Sequence, residues 1–267
     1  GFGRLRWRLG ERLRGERRGE PEPRAIGRPA SREGRRGRRS LILYLLRHGQ
    51  TAPDGVFTED GQPDPALTPL GEAQARAAAE ALAGEGLSAV FSSDLRRAVA
   101  TAGAVASLCG LEPRTDRRLR EIDMGEAGRL GGEAFARAHP EAARELEASR
   151  RLGEASRDFR YPGGETGGEA AARAEAFIAD LSGDRASMGA GDRVLLVCHG
   201  GLIRALVARL LGMEERRRFR LMPGNCGVTR LELPAREAGA AEGPNLLDRA
   251  RLLSFNEEGH LRGMTSF

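Results

Sequence analysis

Two histidines that each follow a run of apolar residues are the first candidates for chemistry in this sequence. His48 follows Leu41-Ile-Leu-Tyr-Leu-Leu-Arg47, His199 follows Val194-Leu-Leu-Val-Cys198, and each histidine precedes a glycine. Such runs are typical of buried parallel strands. Open α/β sheets bind ligands beyond the carboxyl ends of their strands, so we expect both histidines in one crevice. A histidine can attack phosphorus covalently, and Arg47 can bind phosphate through paired charge-assisted hydrogen bonds.

A single histidine after a strand is more often a structural residue than a catalytic one. The chain has four histidines, and two of them follow apolar runs and precede glycine, which favours chemistry over coincidence. Cys198 is the neighbour of His199, but adjacent side chains on a strand point to opposite faces. We therefore do not expect a Cys/His pair.

Two consecutive arginines, Arg96 and Arg97, are predicted to lie in the first turn of a helix. This helix has Ser93 or Asp94 as its N-cap and ends before Gly110. Cations are disfavoured at a helix N-terminus unless an anion is present. The placement therefore indicates an anion site, and the alternative is a solvated pair of surface arginines.

In their order along the chain, these segments resemble those of the histidine phosphatase superfamily, the phosphoglycerate-mutase-like proteins. The resemblance extends from Leu41 to about Leu233. It also includes segments that begin at Asp64, Pro162 and Asn225, which read Asp64-Pro-Ala-Leu-Thr-Pro-Leu-Gly-Glu-Ala-Gln-Ala75, Pro162-Gly-Gly-Glu-Thr166 with Arg173 downstream, and Asn225-Cys-Gly-Val-Thr229. The second of these is similar to a segment common in the phosphatase branch of the family.

The resemblance implies a role for each matching residue. His48, within Arg47-His48-Gly49, would be the nucleophile that becomes phosphorylated. Glu121, within Leu119-Arg-Glu121, would be the general acid. Protonated His199 would offset charge in the transition state. The substrate-binding residues that it implies are Arg47, Gly49, Asp54, Arg97 (rather than Arg96) and Gly200. No cofactor and no metal ion are implied, and the histidines and cysteines have no metal-ligand spacing.

Position 54 departs from the family pattern. Many members have asparagine six residues after the first histidine, where it contacts the phosphate, whereas this chain has Asp54. A carboxylate would repel a phosphoryl dianion unless it is protonated, turned away or acting as a proton donor. Glu121 is the favoured acid, and Asp54 is the alternative.

The fold that the resemblance implies is a three-layer α/β/α sandwich with a mainly parallel sheet, formed by residues 41–267. The apolar pattern predicts strands near 41–46, 88–91, 194–198, 227–233 and 250–255, the last at an edge. It predicts helices near 69–83, 94–108, 166–181 and 201–211. The region 126–165, rich in alanine, arginine and glutamate, is expected to form a helical cap over the pocket.

Residues 1–40 differ in composition from the rest of the chain. They hold 14 arginines and five glutamates, so the net charge of +5 comes from this segment and the remainder is mildly acidic. We expect a disordered extension, in which residues 2–14 could form a basic amphipathic helix that binds nucleic acid or an anionic membrane surface. No apolar run is long enough for a membrane span. The odd cysteine count suits a reducing compartment, so the sequence predicts a cytoplasmic protein.

The sequence therefore predicts a metal-independent phosphohydrolase of the histidine acid phosphatase type. Its substrate would be a small phosphorylated metabolite, and the reaction would pass through a phosphohistidine. One alternative is a phosphoglycerate mutase, against which Asp54 and the segment 162–166 count. The other is a catalytically weak phospho-ligand or nucleic-acid-associated binding protein, which Asp54 and the arginine-rich segment would suit. The sequence does not predict an oligomeric state.

Overall fold

The computed structural model describes residues 40–151, 159–183, 192–234 and 249–264. Within these ranges, one sheet with helices on both faces forms the centre of the fold. The expected extension over residues 1–39, including its basic helix, lies outside the described residues. No helix in the part of the chain that the structure describes has the length and apolar character of a membrane span.

The sheet has six strands, which are β1 (Leu41–Arg47), β2 (Ala89–Ser92), β3 (Pro113–Thr115), β4 (Arg193–Cys198), β5 (Val228–Leu233) and β6 (Arg251–Glu257). Their order is β3-β2-β4-β1-β5-β6. The first four pair in parallel, and β5 and β6 are antiparallel to their neighbours. The mainly parallel sheet and the position of β6 at an edge are as predicted. Strand β3 was not predicted; it begins with proline at the opposite edge, where a missing N–H is tolerated.

The described helices are α1 (Pro69–Leu82), α2 (Arg96–Cys109), α3 (Gly125–Leu130), α4 (Gly132–Ala138), α5 (Pro140–Arg150), α6 (Gly167–Gly183) and α7 (Gly200–Leu210). Helices α1, α2, α6 and α7 correspond to the four predicted ones. Helices α3, α4 and α5 occupy the region that was predicted to be helical between 126 and 165. Short 3-10 helices lie at Ala83–Glu85, Arg117–Leu119, Glu215–Arg220 and Gly259–Leu261.

Alternate residues of β1 pack against helices on opposite faces of the sheet. Leu43 and Leu45 belong to a core that includes α6 and α7, whereas Tyr44 and Leu46 belong to a core that includes α1 and α2. This alternation follows from the two-residue repeat of a strand. Because both faces are covered, the strand lacks charged residues from Leu41 to Leu46. The fold is the predicted three-layer sandwich.

Helix α2 begins later than predicted because its N-terminal cap comes from a distant segment. The carboxylate of Asp64 accepts a hydrogen bond from the backbone N–H of Arg96 at 2.8 Å. Ser93 instead accepts from the N–H of the residue before the helix, and Asp94 forms an ion pair with Arg120. Asp64 is thus an anion at this helix N-terminus, and it holds the loop before α1 against the start of α2.

Candidate active site

The two histidines lie side by side at the carboxyl ends of β1 and β4. These strands pair in parallel with Arg47 opposite Cys198, and the N–H of His48 donates to the carbonyl oxygen of Cys198 at 3.0 Å. The ring centroids of His48 and His199 are 5.1 Å apart. The parallel register therefore brings together two residues that are about 150 positions apart in the sequence.

His48 is held in one tautomer by the residue that follows it. Its Nδ1 lies 2.7 Å from the carbonyl oxygen of Gly49, and a carbonyl only accepts. We therefore assign the proton to Nδ1, which leaves the lone pair on Nε2. Burial, followed by the charges of Arg97 and Arg47, lowers the pKa of His48 to about 3. The ring is neutral near pH 7, as a nucleophile must be.

His199 is fully buried and has unpaired polar atoms. Neither of its ring nitrogens has a hydrogen-bond partner within the described ranges. Burial, followed by the charge of Arg97, holds the pKa of His199 well below its usual value. The expected imidazolium is therefore not the form that this structure favours, because desolvation penalises it. Unpaired buried nitrogens are costly, which marks the ring as a group that binds a polar ligand.

Two arginines supply positive charge next to the histidines, of which Arg97 is buried and Arg47 is partly buried. Nη1 of Arg47 donates to the carbonyl oxygen of Pro223 at 2.8 Å, and Nη1 of Arg97 donates to that of Pro63 at 3.0 Å. The buried Nε of Arg47 has no partner among the described residues. Each guanidinium has more donors than these contacts use, so the pair can bind the oxygens of a phosphoryl group.

Arg96 and Arg97 have different environments although they are adjacent. The side chain of Arg96 is 45% exposed, whereas that of Arg97 is 8% exposed. Arg96 donates to Asp54 and to the backbone carbonyl of Asp64. The structure thus places Arg97 inside the fold and Arg96 at its surface. Phosphate binding by Arg97 stays a prediction, and its position suits it.

Asp54 is tied into its own loop. Its carboxylate accepts from the N–H groups of Ala66 and Val56, both at 3.1 Å, and from Nη2 of Arg96 at 2.7 Å. The two backbone N–H groups, followed by Arg96, lower the pKa of Asp54. A carboxylate stabilised in its ionised form is a poor proton donor near neutral pH. Glu121 accepts three backbone N–H groups, so hydrogen bonds of this kind do not choose between the two carboxylates, and the roles of Asp54 as proton donor and as phosphate contact stay predictions.

Glu121 is held at the N-terminus of α7, the helix that begins directly after His199. Its Oε1 accepts from the N–H groups of Ile122 at 2.8 Å and Leu202 at 3.0 Å, and its Oε2 accepts from that of Gly201 at 3.0 Å. The helix dipole favours a negative charge at this position. A carboxylate has about four lone-pair sites, so these three bonds leave roughly one for a proton in transfer.

The two glycines after His199 allow Glu121 and Arg47 to come close. A Cβ atom at Gly201 would collide with the carboxylate of Glu121, and one at Gly200 would lie 3.1 Å from Nε of Arg47. Glycine at 201 is therefore required for packing against Glu121, and glycine at 200 gives Arg47 room beside the helix. Substrate binding by Gly200 stays a prediction.

Gly49 has a packing role of the same kind. A Cβ atom at Gly49 would collide with the backbone carbonyl of Gly71 in α1, and one at Gly71 would collide with that of Gln50. The N–H of Gly49 donates to Oγ1 of Thr101 at 3.2 Å, and its carbonyl oxygen fixes His48. These contacts explain the glycine without a substrate, and substrate binding by Gly49 stays a prediction.

Side chains to which the motifs gave no role hold the main chain of Glu121. Nε2 of Gln62 and Nη2 of Arg173 donate to the carbonyl oxygen of Glu121 at 2.8 and 3.0 Å. Arg173 also forms an ion pair with Glu165, whose carboxylate accepts from the N–H of Asp123. Glu165, in the segment 162–166, thus helps to hold the main chain around Glu121 in place. The resemblance included Arg173 and the segment 162–166 but not their partners, and it gave no role to Gln62.

A cleft of about 450 Å³ opens beside Glu121. Its charged lining residues are Arg47, Glu121, Arg204 and Arg218, and its apolar ones are Ile122, Met124, Tyr161, Phe219 and Met222. No motif marks Arg204 or the wall formed by residues 218–222, so the sequence did not predict them. Of the described residues in the expected cap, Tyr161 lines this cleft.

The cysteines of the site are buried thiols. Burial raises the pKa of Cys198 and of Cys226 to about 12, so neither is a thiolate near neutral pH. Within the described ranges, no group of three or more His, Cys, Asp or Glu side chains is placed to hold a metal ion.

A family model and several known proteins match most of the chain. A family model described as "Histidine phosphatase superfamily (branch 1)" matches residues 43–242. "Probable phosphoglycerate mutase GpmB" of Enterobacter sp. (strain 638) is 34% identical over 194 residues, which are 72% of this chain and 85% of that protein. A solved mycobacterial glucosyl-3-phosphoglycerate phosphatase has 34% identity and a TM-score of 0.65, covering 82% of this chain and 99% of that one. "Mycobacterial hydrolase 2" has 34% identity and a TM-score of 0.66, covering 82% and 91%.

Proposed function

Because the chain belongs to the histidine phosphatase superfamily, we propose that it hydrolyses phosphate monoesters of small metabolites through a phosphohistidine on His48. The observation that carries this proposal is the pair of adjacent histidine rings, with Arg97 and Arg47 close enough for their charges to act on His48. His48 supplies a neutral nucleophile, Arg47 and Arg97 supply positive charge, and Glu121 lies where a proton can reach the leaving group.

In the first step, Nε2 of His48 attacks phosphorus, and the bond from phosphorus to the alcohol oxygen breaks. Arg47, Arg97 and an N–H of His199 stabilise the charge on the equatorial phosphoryl oxygens. Glu121 donates a proton to the leaving oxygen, so the product is a neutral alcohol.

In the second step, water attacks phosphorus and the bond to His48 breaks. The carboxylate of Glu121 accepts a proton from the water as its oxygen bonds to phosphorus. His48 returns to its neutral form and inorganic phosphate leaves. Arginine and histidine side chains supply the charge stabilisation in both steps. The proposed mechanism is therefore metal-independent, of the histidine acid phosphatase type.

A second candidate is phosphoglycerate mutase activity, which the 34% identity to a protein of that name favours. A mutase returns the phosphoryl group of the phosphohistidine to a substrate hydroxyl group, whereas a phosphatase gives it to water. The two candidates therefore differ in the acceptor, and they share the nucleophile. The 34% identity to a solved phosphatase favours the first candidate.

The test measures both fates of the phosphoryl group in one set of samples. Release of inorganic phosphate is measured with para-nitrophenyl phosphate and a panel of phosphorylated metabolites, in EDTA, and conversion of 3-phosphoglycerate to 2-phosphoglycerate is measured alongside. We expect phosphate release and an acid-labile phosphoryl label on the wild-type protein, both absent from His48→Ala. His139→Ala is the matched control, because His139 contacts Glu126 away from the cleft.

Three results would contradict the proposal. Turnover by His48→Ala close to that of the wild type would exclude His48 as the nucleophile. Isomerisation without net phosphate release would assign the mutase activity instead. Binding of phosphate esters without turnover of any of them would assign the catalytically weak binding protein.

A further inference from the structure

Arg204 is a cation on the cleft wall to which the proposed phosphoryl chemistry assigns no role. It lies on α7, four residues after Gly200 and three after Gly201, so it shares a helix face with the Gly-Gly pair. One turn of a helix rises about 5.4 Å. Arg204 is therefore about one turn beyond the N–H groups that hold Glu121.

The guanidinium of Arg204 has no carboxylate partner among the described residues. Its Nε is buried without a hydrogen-bond partner, and its Nη2 contacts Sδ of Met222 at 3.8 Å. A thioether is a weak acceptor, so this contact does little to satisfy a charged donor. Burial lowers the pKa of Arg204, and the charge of Glu121 opposes this only in part and without an ion pair at contact distance, so the partly buried cation is costly.

The surroundings of Arg204 favour an anion over a neutral polar group. The cleft is lined by three arginines and one glutamate, and its other side chains are largely apolar. The phosphoryl group of a substrate would be bound by Arg47 and Arg97, and Glu121 would become neutral while it carries the proton. Apolar walls strengthen the attraction between Arg204 and a second anion, because they exclude water.

From these contacts we propose that Arg204 forms a second anion subsite, and that the substrate is a phosphate monoester whose alcohol portion carries another anionic group. A carboxylate or a second phosphate fits this chemistry, since both accept paired hydrogen bonds from a guanidinium. This inference rests on the proposed phosphatase function and deepens it.

The test compares esters that differ in the second anion alone. 3-Phosphoglycerate and glycerol 3-phosphate differ by a carboxylate in place of a hydroxymethyl group, and fructose 1,6-bisphosphate and fructose 6-phosphate differ by a phosphate. We expect the wild-type kcat/KM to be at least about tenfold higher for the anionic member of one pair, which identifies the group. Arg204→Gln should lower kcat/KM for that ester by about 10- to 100-fold and change para-nitrophenyl phosphate less than about threefold.

Two further variants separate charge recognition from general damage. Arg204→Lys should restore part of the preference, because it returns the charge without the planar fork. Arg76→Gln removes an exposed arginine of α1 and should leave the preference unchanged. A wild type that treats both members of each pair alike would overturn the proposal. So would an Arg204→Gln variant that slows every ester equally.

The subsite can also be measured if the chain hydrolyses no ester, which would defeat the proposed function alone. In the His48→Ala background, calorimetry then gives the Kd of both esters in each pair. Tighter binding of one anionic ester, lost on adding Arg204→Gln, supports the subsite. Equal Kd values within each pair overturn it.

Discussion

Replacing Glu121 with glutamine would remove the proposed proton donor and also disturb the start of α7. Both carboxylate oxygens of Glu121 accept backbone N–H groups, two at Oε1 and one at Oε2. A glutamine amide has a single acceptor oxygen, so its NH2 group would face at least one of these donors. If the amide oxygen takes the Oε1 position, the unpaired donor is the N–H of Gly201. Such a loss costs about 1–3 kcal/mol, which is the decrease that we expect in the free energy of unfolding.

The catalytic effect of Glu121→Gln should depend on the leaving group. A general acid contributes about 10²–10⁴-fold to a rate, so kcat/KM for an alkyl ester such as glycerol phosphate should fall by that factor. para-Nitrophenolate leaves without a proton, so kcat/KM for its ester should fall less than about tenfold. The assay measures kcat/KM, which reports the phosphorylation of His48, for a series of esters whose alcohols increase in pKa. Urea unfolding is measured on the same samples.

The matched control for this experiment is Asp54→Asn, which alters an exposed carboxylate that contacts Arg96. Its dependence on the leaving group should be that of the wild type. Equal slowing of all esters by Glu121→Gln would refute proton donation. Unchanged unfolding would refute the capping contact. A leaving-group dependence that appears in Asp54→Asn instead would reverse the two roles.

The remaining predictions concern stability, positioning and the arginine-rich segment. Burial lowers the pKa of His48 to about 3. Since the unfolded value is near 6.5, the unfolded chain binds a proton that the folded chain does not, and stability present above pH 6.5 is lost toward pH 3. In urea titrations across this window, His48 alone should contribute a fall of about 1.4 kcal/mol per pH unit to the free energy of unfolding, so the slope should exceed that of His48→Gln by this amount; equal slopes would contradict this. Arg173 holds the main chain of Glu121, so Arg173→Gln should lower kcat on alkyl esters by about 10- to 100-fold with little change in KM. Arg173→Lys should recover part of the lost kcat. An equal loss of kcat on para-nitrophenyl phosphate would indicate general damage. Deletion of residues 1–40 should keep kcat/KM on a small ester within about threefold, and a larger loss would give that segment a role in activity.

The apolar pattern predicted the elements whose signal is local. Strands β1 and β4 are continuous apolar runs, and the helices beside them repeat apolar residues at helical spacing, so their existence and type are readable from the chain. The start of α2 could not be predicted in this way, because Asp64 caps that helix from 32 residues away. Strand β3 was missed because it has three residues and begins with proline.

The candidate site also has residues that the sequence predicted and residues that it did not. Its motifs carry His48, His199 and Glu121, and the parallel register of the sheet brings the histidines together. The resemblance implied a protonated His199, whereas burial in the completed fold lowers the pKa of this ring, so its protonation during the reaction stays a prediction. Arg204 has no local signal. Only its packing against the cleft distinguishes it from the many solvated arginines of the chain.

The contact between Gly49 and Gly71 limits how this sequence can vary. At both positions an added Cβ meets backbone atoms of the opposite segment, which no change of rotamer can move away. Gly200 differs, because its Cβ would meet the side chain of Arg47, which can shift. In a library that varies every residue, we expect selection for activity to retain only glycine at 49 and 71 and to admit alanine at 200. Where α1 contacts the loop that carries His48, backbone atoms alone therefore exclude every residue except glycine.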